Sequence, residues 1–315
     1  MPDSAVDVHL PRTVVPSKYD LVLEPDLSAA RFAGTVAVAV DVAEPTGAIT
    51  LNAVELDIDE AWIEAGGERL DATVHYDAEA ERATLELAEP VGKGSSIVHA
   101  RFRGVLNDKL RGFYRSTFTD ADGNERVIAT TQFESTDARR AFPCWDEPEF
   151  KAAFSVTLVV PDDLLAISNA AEIGREPTND GRVRVRFADT MVMSTYLVAF
   201  VVGPFEATDV VDVDGVPLRV VHPIGKANLA SFALDIGAVA LRHFTDYFGV
   251  PYPGDKVDLV AIPDFAFGAM ENLGCITFRE TALLIDPARA TQPELERVAD
   301  VVAHELAHMW FGDLV

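Results

Sequence analysis

Basic residues are scarce in this chain, where 26 Lys and Arg stand against 51 Asp and Glu for a net charge of −25. Nucleic acid binds a basic surface that neutralises phosphates, so it is excluded as a partner. An anionic membrane surface is disfavoured by the same sign. Cysteine is nearly absent. Cys144 and Cys275 lie far apart with no CxxC spacing, which rules out a disulfide framework and leaves two buried free thiols as the expectation. No apolar run approaches the roughly 18 residues needed to cross a bilayer. No basic segment followed by an apolar one succeeds Met1, so no secretory signal is visible and the cytoplasm is the expected location. Internal repeats and low-complexity tracts are missing too.

What is present is enough apolar residue, 49% of 315 positions, to bury a sizeable core, and length enough for about two domains. The first two hundred residues alternate at the period of strands. Val36, Val38, Val40 and Val42 point one way, and Val54, Leu56 and Ile58 repeat the pattern, as do Val183, Val185 and Phe187. Turn clusters punctuate them at residues 44–47, 64–67, 120–124 and 179–181. Short strands so spaced predict a β-sandwich or saddle-like domain over residues 1–206.

The period changes after Gly203-Pro204. Leu229, Phe232, Ile236, Ala240 and Phe244 form a helical stripe that stops at Gly249, a predicted C-cap. Residues 257–262 and 275–278 read as buried strands. A last helix opens on Thr291-Gln292-Pro293-Glu294, a capping-box pattern with Pro in the first turn, and is expected to run to at least Trp310. An α/β domain is therefore expected from residue 207 onward.

That last helix contains His304-Glu305-Leu306-Ala307-His308. Positions i and i+4 share one helix face, so both imidazoles can reach a single Zn²⁺, with Glu305 placed to take a proton from its water. His243, on the earlier helix, has no ligand spacing and is expected to be a packed or surface residue. Metzincins continue this motif with Gly and His, but Phe311 and Leu314 occupy those positions, which excludes that class. The other common solution takes a Glu from a following helix, for which the seven residues after His308 leave no room. The chain therefore reads as a fragment. Upstream, Gly268-Ala269-Met270-Glu271-Asn272 lies between two predicted strands. Gly268 allows close backbone approach and a strand edge there can pair with an extended peptide, while Glu271 adds a carboxylate.

Taken together, GAMEN, HELAH, residues 131–148 (TQFESTDARRAFPCWDEP) and residues 193–205 (MSTYLVAFVVGPF) closely resemble the aminopeptidase N family of gluzincins, over nearly the whole chain. The resemblance implies a β-saddle domain followed by the first half of a thermolysin-like zinc peptidase domain. It implies His304 and His308 as zinc ligands and Glu305 as general base. Glu271 of GAMEN and Glu134 match the pair that grips a substrate's α-ammonium. Gln132 matches a residue lining the first side-chain pocket, and Gly268 and Ala269 match backbone that holds the peptide extended, with Met270 and Asn272 completing the motif. The third ligand, a Glu, and the oxyanion-stabilising Tyr would lie beyond Val315. The implied activity of the full-length protein is that of a membrane-alanyl-type aminopeptidase with one Zn²⁺ per chain, acting on peptides with a free N-terminus. The leukotriene-hydrolase branch tends to carry Gly where Ala269 stands and Gln where Glu134 stands, so the aminopeptidase branch is favoured.

Overall fold

The computed structural model describes residues 9–315. The β-rich fold class expected for the first part is what forms, and it is built from two sheets. The larger has ten strands, centred on the long hairpin Val14–Asp26 and Arg31–Val42 and extended through Gly94–Val105 and Leu56–Ala65. In Arg31–Val42 the buried side chains alternate with exposed or half-buried ones, the period of a sheet with one face on the core. Val14–Asp26 also pairs in parallel with Ala153–Pro161, joining segments that are distant in sequence. The second sheet has four strands, Leu165–Ser168, Phe200–Gly203, Glu125–Gln132 and Gly112–Thr119, in that order.

Aromatic side chains fill the space between the sheets. Tyr19 stacks on Phe154 at 4.8 Å, and Phe113, Phe133 and Phe142 join them through edge contacts that include Phe200. The Tyr19 hydroxyl accepts the backbone N–H of Trp145, which satisfies a buried donor. Both cysteines are buried and free. Beside this core Arg139 pairs with Asp146 at 2.9 Å and with Glu81 at 3.1 Å, so the buried Asp146 carboxylate is not left alone.

The third sheet begins at Phe205–Ala207, directly after the second sheet's Phe200–Gly203. Its core strands Val216–Pro223, Val257–Ile262 and Cys275–Arg279 run parallel, and the two-residue strand Ala269–Met270 closes one edge antiparallel to the last. Two helices cover it: α1 (Ser231–Phe248) and α2 (Gln292–His308). Each ends or begins where its chemistry dictates. Gly249 adopts φ 64° and its N–H bonds to the Thr245 carbonyl, while Glu294 accepts hydrogen bonds from the N–H and the hydroxyl of Thr291 at 2.8 and 2.7 Å.

Two expectations are corrected here. Val54 is not part of a strand: it bonds to the Arg139 carbonyl and is followed by Glu55 at φ 58°, so pairing starts at Leu56. The α-helix also stops at His308. Phe311 and Gly312 leave helical geometry in the widened turn that follows, where Gly312 reaches φ 129° and the Trp310 indole N–H is anchored on the Val250 carbonyl at 2.9 Å.

Candidate active site

Helix α2 presents His304 and His308 on one face with their Nε2 atoms 3.1 Å apart. Two nitrogens bound to one tetrahedral zinc at about 2.0–2.1 Å would be separated by about 3.3 Å, so the pair is shaped to share an ion. His308 donates through Nδ1 to the Phe311 carbonyl at 2.9 Å, which leaves its Nε2 lone pair free to face His304. These two donors fit a zinc-type ion as two of its ligands. Among the described residues no group of three His, Cys, Asp or Glu side chains is arranged to hold a metal.

Glu305 is 6% exposed. Burial, then the charges of Glu271 and Glu134, push its carboxyl up to about 8. Glu134, which follows the strand Glu125–Gln132, is likewise raised by partial burial and by Glu271, with His308 opposing. Three carboxylates from the N-terminal sheet, the sheet edge and the helix therefore lie within one electrostatic neighbourhood beside the paired imidazoles.

The GAMEN segment supplies Glu271, which acts on both Glu134 and Glu305. Gly268 accepts the Arg279 N–H on its carbonyl at 2.9 Å, and a Cβ placed on it would meet nothing within 4 Å. Ala269 and Met270 pair with Phe278 and Thr277, and no strand of the described residues pairs with their outer edge. Gln132 is buried, with Nε2 3.5 Å from the Met270 sulfur and Oε1 without a partner. Asn272 donates to Thr277 Oγ1 at 3.0 Å, and its own Oδ1 is unpartnered. All ten residues singled out from the sequence thus belong to one contiguous region. His243 is exposed and stacks beside Tyr247, away from any ligand partner.

Two side chains at the site were not singled out. The Tyr196 hydroxyl donates to the Gly312 carbonyl at 3.4 Å, and burial followed by Glu271, Asp313 and Glu134 pushes the phenol up to about 12. Asp313 is buried, and burial with Glu271 and Glu305 raises its carboxyl to about 9. Tyr196 stands inside the MSTYLVAF segment and Asp313 inside VVAHELAHMWFGDLV, both stretches that resemble the family, which is the available signal for each.

A sheet domain joined to a mixed α/β unit, with an HExxH helix set against a sheet edge that carries a carboxylate, defines the metallopeptidase class to which the sequence pointed. Residues 15–197 match the Peptidase M1 N-terminal domain and residues 232–315 match the Peptidase family M1 domain. The chain is 48% identical to Aminopeptidase M1 of Arabidopsis thaliana over 98% of its own length and 35% of that protein. It is 42% identical to the puromycin-sensitive aminopeptidase of Caenorhabditis elegans, over 100% of this chain and 34% of that one. Identity to endoplasmic reticulum aminopeptidase 1 of Homo sapiens is 40%, over 98% and 33% respectively. The chain belongs to the M1 peptidase family. It spans about a third of the length of the curated relatives it matches.

Proposed function

We propose that this chain, within a polypeptide that supplies the rest of the peptidase domain, is the N-terminal part of a zinc aminopeptidase that removes the first residue from peptides. Residues 1–206 are the saddle domain and 207–315 the first part of the catalytic domain. The observation that carries the reading is geometric: the His304 and His308 Nε2 atoms face each other 3.1 Å apart on α2, and the Ala269–Met270 strand that leads into Glu271 forms an unpaired sheet edge among the described residues. Carboxylates crowded in one cleft are stabilised by cations, and a zinc ion with an α-ammonium would supply them.

In this reading His304 and His308 hold the zinc through Nε2, and Glu305 is the general base. Zinc, when bound, polarises the scissile carbonyl and acidifies water. Glu305 takes the proton of the attacking water and passes it to the leaving amine. Glu271 and Glu134 accept charge-assisted hydrogen bonds from the substrate's ammonium and so fix which peptide bond reaches the reaction centre. The free edge of Ala269–Met270, with open space over Gly268, pairs with the extended peptide, and Gln132 and Met270 line the first side-chain pocket. A membrane-alanyl type of specificity, with cytoplasmic residence, completes the proposal. Among the described residues no helix is long and apolar enough to cross a membrane.

The test is a matched pair of peptides, one with a free and one with an acetylated N-terminus, given to a polypeptide with a complete catalytic domain. The free peptide should be strongly preferred. Glu271→Ala should lower kcat/KM on it by about 2–5 kcal/mol and narrow the preference, because a desolvated charge partner is lost. Efficient cleavage of the acetylated peptide, or an unchanged ratio in the variant, would move the reading to an endopeptidase.

A further inference from the structure

Between the N-terminal sheets and the GAMEN segment lies a buried joint centred on Asn169. This residue directly follows the strand Leu165–Ser168 and is 3% exposed. Its Nδ2 donates to the Leu197 carbonyl at 2.8 Å and to the Leu273 carbonyl at 2.9 Å, while its Oδ1 accepts the Ala199 N–H at 2.9 Å. Both amide hydrogens and the oxygen are thus engaged. One bond reaches the loop two residues beyond Glu271. The other two hold the entry to Phe200–Gly203, which pairs with the strand leading through Gln132 to Glu134.

A second stitch reinforces the first. The buried Lys256 ammonium donates to the carbonyls of Ser168 at 2.8 Å and Gly274 at 2.7 Å, and it pairs with Asp258 at 2.8 Å. The backbones meet closely enough that a Cβ on Gly274, whose φ is 71°, would stand 2.1 Å from the Asn169 carbonyl oxygen. Glycine is therefore required there, and its absence of a side chain brings the two segments into direct contact.

We infer that Asn169 is a positioning residue for the ammonium clamp: it fixes the Glu271 segment against the strand pair that carries Glu134, so that two carboxylates from different domains converge on one cation. The inference rests on the aminopeptidase reading above and extends it to a residue that touches neither substrate nor metal. Its physical basis is geometric. A bidentate grip fails when one member is displaced by an ångström, and displacements of that size cost on the order of 10²-fold in rate. Removing the Asn169 amide also strands the Leu197 and Leu273 carbonyls and the Ala199 N–H, which drives the joint to rearrange.

The test uses holoenzyme with a complete catalytic domain, in a double-mutant cycle of Asn169→Ala and Glu271→Ala. Asn169→Ala should lower kcat/KM for a free-amine substrate by about 10–100-fold, with KM raised as well as kcat reduced. Zinc content should stay at the wild-type level. The inhibition constant of acetohydroxamate, a metal-binding head without an ammonium, should stay within about twofold. In the Glu271→Ala background the same substitution should cost less than about threefold, since the clamp it serves is already broken. Should Asn169→Ala fail to fold, Lys256→Met enters the same cycle with the same expectation. Full additivity of the two losses, or a matching loss of acetohydroxamate binding, overturns the positioning role while leaving the clamp standing. A Glu271→Ala enzyme with wild-type kinetics overturns the clamp itself and this role with it.

Discussion

Asp313 is 1% exposed, and neither of its carboxylate oxygens has a hydrogen-bond partner. Its carboxyl stands at about 9 against an ordinary 3.8, with burial as the main cause and Glu271 and Glu305 adding to it. The folded state therefore holds a proton that the unfolded state releases near pH 4. Stability from this group is complete below that point and is lost as pH rises through about 9. Melting curves of the metal-free 315-residue chain from pH 5 to 9 should fall steadily, and Asp313→Asn should flatten the fall. At pH 8 the variant should melt at least about 1–2 °C higher, the shift expected of a gain of 1 kcal/mol in a protein of this size. Parallel curves for the two proteins would show that Asp313 finds a cation or donor when ionised. At this same scale the sequence was readable where chemistry repeats locally. His304, Glu305 and His308 announce themselves by spacing on one helix. Asp313 and Tyr196 come together only through the turn after α2 and the joint between sheets, so the family-like stretches that contain them mark the segment without revealing the contact.

Helices and strands show the same division between local and distant signals. Gly249 was legible as a C-cap because the apolar stripe of α1 stops there, and the structure gives it φ 64° with open space where a Cβ would stand. A side chain at that position meets only its own backbone strain. Gly249→Ala should therefore destabilise the chain by about 1 kcal/mol, and Gly249→Asn by less, because Asn tolerates the left-handed region better. Thermal denaturation of the three proteins checks this order; equal melting of Gly and Ala would mean the turn relaxes out of the left-handed region at no cost. Where partners are remote, periodicity fell silent. Nothing in residues 14–26 says that they pair in parallel with 153–161, and nothing around Val54 says that the Arg139 carbonyl will claim its N–H. The widened turn after His308 is similar. Its path is set by a bond from His308 to the Phe311 carbonyl and by Trp310 resting on Val250, contacts that helical periodicity does not register.

Across the whole molecule the cleft gathers negative charge faster than it gathers ligands. Glu134, Glu271, Glu305 and Asp313 act on one another there, inside a chain whose net charge is −25. Such a field favours a divalent cation, yet attraction alone does not hold one. A catalytic zinc takes three protein ligands and leaves one position open, and each ligand adds a bond whose entropy has already been met by the fold. On the proposed reading His304 and His308 would provide two, and the described residues arrange no third. The 315-residue chain by itself should consequently bind zinc weakly, losing it on dialysis against a mild chelator, and should hydrolyse aminoacyl arylamides barely above background. A polypeptide continued through a complete M1 peptidase domain should retain one zinc per chain under the same dialysis and turn these substrates over. Replacing His308 by Ala in that longer protein should abolish both properties, whereas Glu305→Gln should keep the metal and lower kcat by about 10²–10⁴-fold, since the role proposed for its carboxylate is to move a proton and not to coordinate. Metal content and turnover measured on these four proteins separate attraction, ligation and proton transfer. Stoichiometric, chelator-resistant zinc in the 315-residue chain would mean that a carboxylate of the cleft already closes the coordination sphere, and the clamp assigned to Glu134 and Glu271 would then have to be reassigned.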